Sequence, residues 1–173
     1  FKIRLGRHLV LIWWETFHYP NIVLTVTRPQ IIKNIFPEVD TGPMIHGSYA
    51  FTMLKMNYKS WLGNGGGEVN NSQNNSDQKK SFGVRSEIEH LPFFDYSHIG
   101  FMYMDQPTVG VSTRSDIWGV DTILEYRGWG INGAYHWTHN LSGYYLLPSY
   151  RYDFDDAHSL TGYYTYDYKN VGA

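Results

Sequence analysis

Residues 114–139, RSDIWGVDTILEYRGWGINGAYHWTH, constrain the fold more than any other stretch of the chain. Trp118, Val120, Thr122, Leu124 and Tyr126 recur at every second position. Gly119, Asp121, Ile123, Glu125 and Arg127 fill the alternate ones. After Gly128 the alternation resumes, with Trp129, Ile131, Gly133, Tyr135 and Trp137 against Gly130, Asn132, Ala134, His136 and Thr138. A period of two means a strand with two unlike faces. A two-residue loop at Gly128-Trp129, glycine first, predicts a hairpin closed by a type II′ turn. That register sets Arg127 against Gly130, Tyr126 against Ile131, Val120 against Trp137, Glu125 against Asn132 and Asp121 against His136.

Both strands exceed the usual length of about five or six residues and reach the roughly 9–11 that cross a bilayer. One face is apolar, with aromatics towards its ends; the other carries acids, a histidine and amides. A soluble sheet would bury the first and wet the second. A transmembrane barrel inverts that arrangement.

Composition narrows the choice. Charged residues are 17% of the 173, below the roughly 25% of ordinary soluble domains. Aromatics are also 17%, half of them tyrosine. With 14 basic and 16 acidic residues and no basic run, nucleic acid is not an expected partner. The absence of cysteine excludes disulfides and thiolate metal sites. No 18-residue apolar run occurs, a criterion that finds helices and not barrel strands.

Alternation continues elsewhere. Residues 1–5 read as the end of a strand, and residues 47–58 as a mixed one. In residues 82–90, Phe82, Val84, Ser86 and Ile88 oppose Arg85, Glu87 and Glu89; in residues 97–105, Ile99, Phe101 and Tyr103 oppose His98, Gly100, Met102 and Met104. Residues 144–153 and 160–168 form a last pair. The prolines of residues 12–42 mark a compact non-ladder segment, and the polar stretch 63–80, GNGGGEVNNSQNNSDQKK, a disordered loop. Long loops at one end and tight turns at the other fit a barrel. The expected fold is all-β: one domain over residues 1–173, an antiparallel up-and-down transmembrane β-barrel, or about eight strands of a larger one. The strand-like opening FKIRL and the closing NVGA read as a piece of a longer barrel.

Gly6-Arg7, Trp14, His18-Tyr19-Pro20, Arg28-Pro29, Phe36-Pro37-Glu38 and Gly42, in that order, resemble a stretch of Gram-negative outer-membrane porins. The tyrosine-rich LPSYRYDF and TGYYTYDY look like the closing half of such barrels. The resemblance implies a water-filled barrel of about 16 strands, often trimeric, with a segment folded inward to narrow the pore. Arg7, Glu15, His18 and Arg28, in and around WETFHYP, become the constriction candidates.

On that reading the polar faces line the lumen. Lys2, Arg4, Arg85, Glu87, Glu89, Asp121, Glu125, Arg127, His136, Arg151 and Asp167 are the pore-lining candidates, and their mixed signs predict no strong ion preference. The eight histidines are scattered singly, with no ligand spacing of a known metal motif, so no metal or cofactor is expected. Glu87 and Glu89 share a face about 7 Å apart, within the range of a glycosidase pair, but no other cleft signal accompanies them. No nucleophile elbow or phosphate loop occurs, and no catalytic residue is assigned. The expected function is passive diffusion of small hydrophilic solutes or ions across the bacterial outer membrane, with outer-membrane lipid around the barrel. The alternatives are a soluble β-sandwich or barrel that stacks carbohydrate on Trp and Tyr, and an outer-membrane enzyme or adhesin on the same barrel.

Overall fold

The computed structural model describes residues 1–9, 39–64, 80–107, 114–154 and 159–171. These form ten strands: β1 (Lys2–Leu9), β2 (Val39–Ala50), β3 (Lys55–Gly63), β4 (Ser81–Glu89), β5 (Tyr96–Pro107), β6 (Arg114–Tyr126), β7 (Trp129–Trp137), β8 (Leu141–Asp153), β9 (Ser159–Tyr163) and β10 (Tyr166–Val171). All belong to one open antiparallel sheet in which each strand pairs with the next along the chain from β1 to β8. Both β9 and β10 lie along the far edge of β8. The all-β, up-and-down expectation therefore holds.

The count of about eight needs correction at two places. Residues 47–58, read as one strand, contain a turn: Phe51 N–H donates to the Leu54 carbonyl at 2.7 Å, ending β2 and starting β3. Phe51-Thr52-Met53-Leu54 carries no glycine, proline or Asx residue, so the usual turn chemistry is missing. At the other end, residues 160–168 were expected as one strand and are divided into β9 and β10. The two keep one register against β8, with Tyr163 opposite Ser149 and Tyr166 opposite Leu146. The break lies opposite Pro148, which has no N–H to donate, although Tyr164 N–H still reaches its carbonyl at 3.1 Å.

The central hairpin forms with a different turn. Arg127 and Gly128 both have positive φ, 49° and 83°, which makes the loop Arg127-Gly128 a type I′ turn and not a type II′ turn at Gly128-Trp129. Tyr126 then pairs with Trp129, Glu125 with Gly130, Asp121 with Ala134 and Trp118 with Trp137. The register moves by two residues. A two-residue move preserves strand parity, so every residue keeps its expected face.

Those faces differ sharply. On β4 through β8 the buried set includes Arg85, Glu87, His98, Asp121, Asn132 and His136, together with Met102, Met104, Ile117 and Leu147. The exposed set of the same strands includes Phe82, Ile88, Phe101, Val120, Ile131 and Leu146. Large side chains on the buried face lie across glycines of the neighbouring strand. Trp61 covers Gly83 and His136 covers Gly119, so a Cβ at either glycine would collide with the ring.

Connections are also asymmetric. Residues 10–38, 64–80 and 108–113, together with the short turn 138–140, join strands at one end of the sheet, whereas 51–54, 90–95, 127–128 and 154–158 join them at the other. The segment expected at 12–42 falls outside the described residues up to 38; from Val39 it is ladder, paired with Leu9. Of the expected loop 63–80, Gly63 belongs to β3 opposite Ser81, and residues 65–79 lie outside the described residues.

Candidate functional site

The charged residues of the buried face meet where β3 to β6 run side by side. Arg85 on β4 reaches over β5 to Asp121 on β6, placing Nη1 2.7 Å from Oδ2 and Nη2 2.8 Å from Oδ1. This is a two-pronged guanidinium–carboxylate pair, the strongest geometry available to these groups. It passes over Gly100, which lies directly opposite both Glu87 and Asp121. A Cβ there would stand 2.5 Å from Arg85 Nη2 and 2.5 Å from Asp121 Oδ2. Glycine is thus required by close approach.

The pair continues into a network. Arg85 Nε donates to Glu87 Oε1 at 2.6 Å, and Lys59 Nζ donates to the same oxygen at 3.1 Å. His98 sets Nε2 3.0 Å from Asp121 Oδ1. Lys55 donates to Glu89 Oε2 at 2.8 Å, and His98 Nδ1 lies 3.9 Å from Glu89 Oε1. The side chains of Arg85 and Asp121 are 0% and 1% exposed. Burial of such charges is tolerable only because each is paired and hydrogen-bonded. A second, smaller cluster lies further along the sheet, where the Ser81 hydroxyl donates to Asp40 Oδ2 and Asn64 N–H donates to Asp40 Oδ1 at 3.0 Å.

Beside the network is a cavity of about 540 Å³, lined by Lys2, His46, Asn57, Lys59, Glu87 and Glu89 among others. It sits at the short-turn end of β1 to β4. Its walls carry both charge signs, which suits water and small polar solutes better than apolar ligands.

The expected pore-lining residues divide into three groups. Arg85, Glu87, Glu89 and Asp121 are brought together in the network. Lys2 and Arg4 lie opposite His46 and Met44 on the same face, and His136 is buried on it, opposite Gly119 and Gly143. The others are peripheral. Glu125 is exposed at the end of β6, Arg127 is in the turn, Arg151 pairs with Asp153 at 3.2 Å near an edge, and Asp167 lies opposite Tyr145. Of the constriction candidates, Arg7 is a strand residue opposite Thr41 and is exposed, as are all of residues 1–6. Glu15, His18 and Arg28 lie outside the described residues.

Sequence reasoning passed over Lys59 and His98. His98 was placed on the correct face, and its place opposite Glu89 follows once the tight connection 90–95 is accepted. Lys59 gave no such signal, because the turn at 51–54 was hidden. Comparison with protein-family models, curated proteins and solved structures returned no match for the chain.

Proposed function

We propose that this chain forms part of the wall of an outer-membrane β-barrel of porin type, which lets small hydrophilic solutes diffuse passively across the membrane. The observation that carries the reading is the inversion of burial. Arg85 and Asp121 are 1% and 3% exposed, whereas Val120 and Ile131, on the opposite face of the same sheet, are 39% and 47% exposed. Water-soluble monomers rarely leave so extended an apolar surface open. Lipid is the solvent that removes its cost.

The placement of aromatics supports the same reading. On the exposed face Trp118 stacks with Trp137, next to Tyr103 and Tyr135, while Trp129 and Tyr150 meet at 4.7 Å towards the other end. Val120, Leu124 and Ile131 lie between them. The Trp118–Trp137 pair and the Tyr126–Trp129 pair are separated by eight residues of β6. That is about 27 Å along the strand, or a little over 20 Å along a barrel axis at the usual tilt. An apolar band of about 25 Å between aromatic girdles is expected of an outer-membrane barrel. A carbohydrate-stacking sheet would instead gather its rings beside the polar cavity.

Mechanistically, the network of β3 to β6 braces one sector of the wall, and solute passes where the face is open, beside Lys2, His46, Asn57 and Glu89. Both signs of charge line that path, so selectivity between small anions and cations is weak. No covalent step is involved.

Folding the chain into detergent micelles and lipid vesicles tests the reading. A band whose gel mobility changes on heating, together with stepwise ohmic conductance in planar bilayers, is expected. A chain that is monomeric, β-structured and soluble in plain buffer would overturn it.

A further inference from the structure

We propose that Glu87, Glu89 and His98 form a binding site for a first-row divalent cation of the zinc, cobalt or manganese type. The inference goes beyond the barrel reading and stands whether or not the chain lives in a membrane. Glu87 and Glu89 are two apart on β4, and His98 lies directly opposite Glu89 on β5. The sheet therefore aims all three side chains at one point. One ligand atom from each lies within 4.8 Å of the others, a convergence found at these three residues among the described residues.

A separate observation concerns His98. Its side chain is 1% exposed, and its Nδ1 has no hydrogen-bond partner. An orphaned buried polar atom is costly. Nε2 lies 3.0 Å from Asp121 Oδ1 and 3.3 Å from Arg85 Nη2, and in the tautomer with its proton on Nε2 the ring donates that hydrogen bond to Asp121. In that tautomer Nδ1 turns its lone pair towards Glu89 Oε1, 3.9 Å away. A lone pair facing a carboxylate is repulsive unless something positive lies between them. A carboxylate holding the far nitrogen of a histidine whose near nitrogen binds metal is a recurrent arrangement in metal sites, and it fixes the tautomer.

The glutamates also hold cations of the chain: Lys59 and Arg85 donate to Glu87 Oε1, and Lys55 donates to Glu89 Oε2, while one oxygen of each glutamate lies within 4.8 Å of a His98 ring nitrogen. Two ligands on one tetrahedral ion stand about 3.4 Å apart, so atoms now within 4.8 Å of one another must close by up to about 1.4 Å, within reach of glutamate torsions. Three protein ligands, one nitrogen and two oxygens, leave a position for water, and Glu87 and Glu89 open on the cavity that supplies it. Without thiolates the donor set suits borderline ions rather than Cu(I). Lys55, with its side chain 42% exposed, can swing to solvent as the ion enters and offset part of the added charge.

The test is titration of the chelator-stripped, folded chain with Co²⁺, read by its visible absorption, followed by displacement with Zn²⁺. One ion per chain is expected, with ligand-field bands of an N/O site. Affinity should fall at least about tenfold in Glu89→Gln, whose side chain is only half-buried, and in His98→Gln. Glu125→Gln, on the same face but at the end of β6, should bind as the parent does. Circular dichroism establishes that each variant is folded, and Glu89→Gln keeps the test decisive if His98→Gln does not fold. Saturable binding that Glu89→Gln leaves unchanged would overturn the proposal. So would a chain that takes up no Co²⁺, Zn²⁺ or Mn²⁺ at micromolar concentration.

Discussion

Arg85 and Asp121 meet across two strands, the guanidinium of one closing on the carboxylate of the other at 2.7 and 2.8 Å over the bare backbone of Gly100. Removing one partner strands the other in a water-excluded setting. Arg85→Met is expected to destabilise the fold by about 3–5 kcal/mol. The double variant Arg85→Met/Asp121→Leu should cost clearly less than the sum of its singles. Urea unfolding of the four proteins, in whichever solvent keeps the parent folded, checks both statements. Strict additivity would mean that the pair contributes no coupling.

Gly100→Ala probes the same contact from beneath. The added methyl would stand 2.5 Å from both Arg85 Nη2 and Asp121 Oδ2, and both groups are buried and held by their hydrogen bonds to each other. A loss of about 1–3 kcal/mol is expected, much larger than for Gly162→Ala, where nothing lies within 4 Å. A difference in unfolding midpoint between these two variants is the measurement.

The type I′ turn gives a prediction of the opposite sign. Arg127 occupies the left-handed region at φ 49°, where a long side chain is strained and asparagine is at ease. Arg127→Asn should stabilise the hairpin by roughly 0.5–1 kcal/mol. Gly128→Ala should destabilise it, both for its φ of 83° and because the new Cβ would come within 2.6 Å of the Arg151 carbonyl oxygen. Thermal or chemical unfolding of the pair distinguishes this turn from the type II′ alternative, in which Arg127 would be unstrained.

Val120→Arg and Ile131→Arg test which solvent the exposed face meets. In a lipid-facing wall each should cost about 2–4 kcal/mol near the bilayer midplane. On a water-facing surface the same changes fall within about 0.5 kcal/mol of zero. Refolding yields and unfolding free energies in vesicles of fixed composition give the answer.

Which residues share the buried face of this sheet and which share the exposed one was legible in the sequence because parity survives errors of register. Asp121 was set against His136 and proves to lie opposite Ala134, yet it faces the side expected, since the error was two residues. The turn type was not legible: Arg-Gly offers glycine at one position only, and an arginine at positive φ goes against its propensity. The turn at 51–54 was invisible for a related reason, its four residues being as strand-like as their neighbours. Nor did spacing along the chain reveal the convergence of Glu87, Glu89 and His98. Ligands on adjacent strands are related by register, and no fixed interval in the sequence encodes it.

The nesting of Trp61 over Gly83 and of His136 over Gly119 has a consequence for how such a chain diverges. Each partner's size is permitted by the emptiness of the other, so neither position drifts alone. A descendant that gains a side chain at 83 is expected to shrink at 61, and one that fills 119 to surrender the ring at 136. Ancestry should be written on this face in paired steps, while the opposite face exchanges one apolar residue for another singly and often.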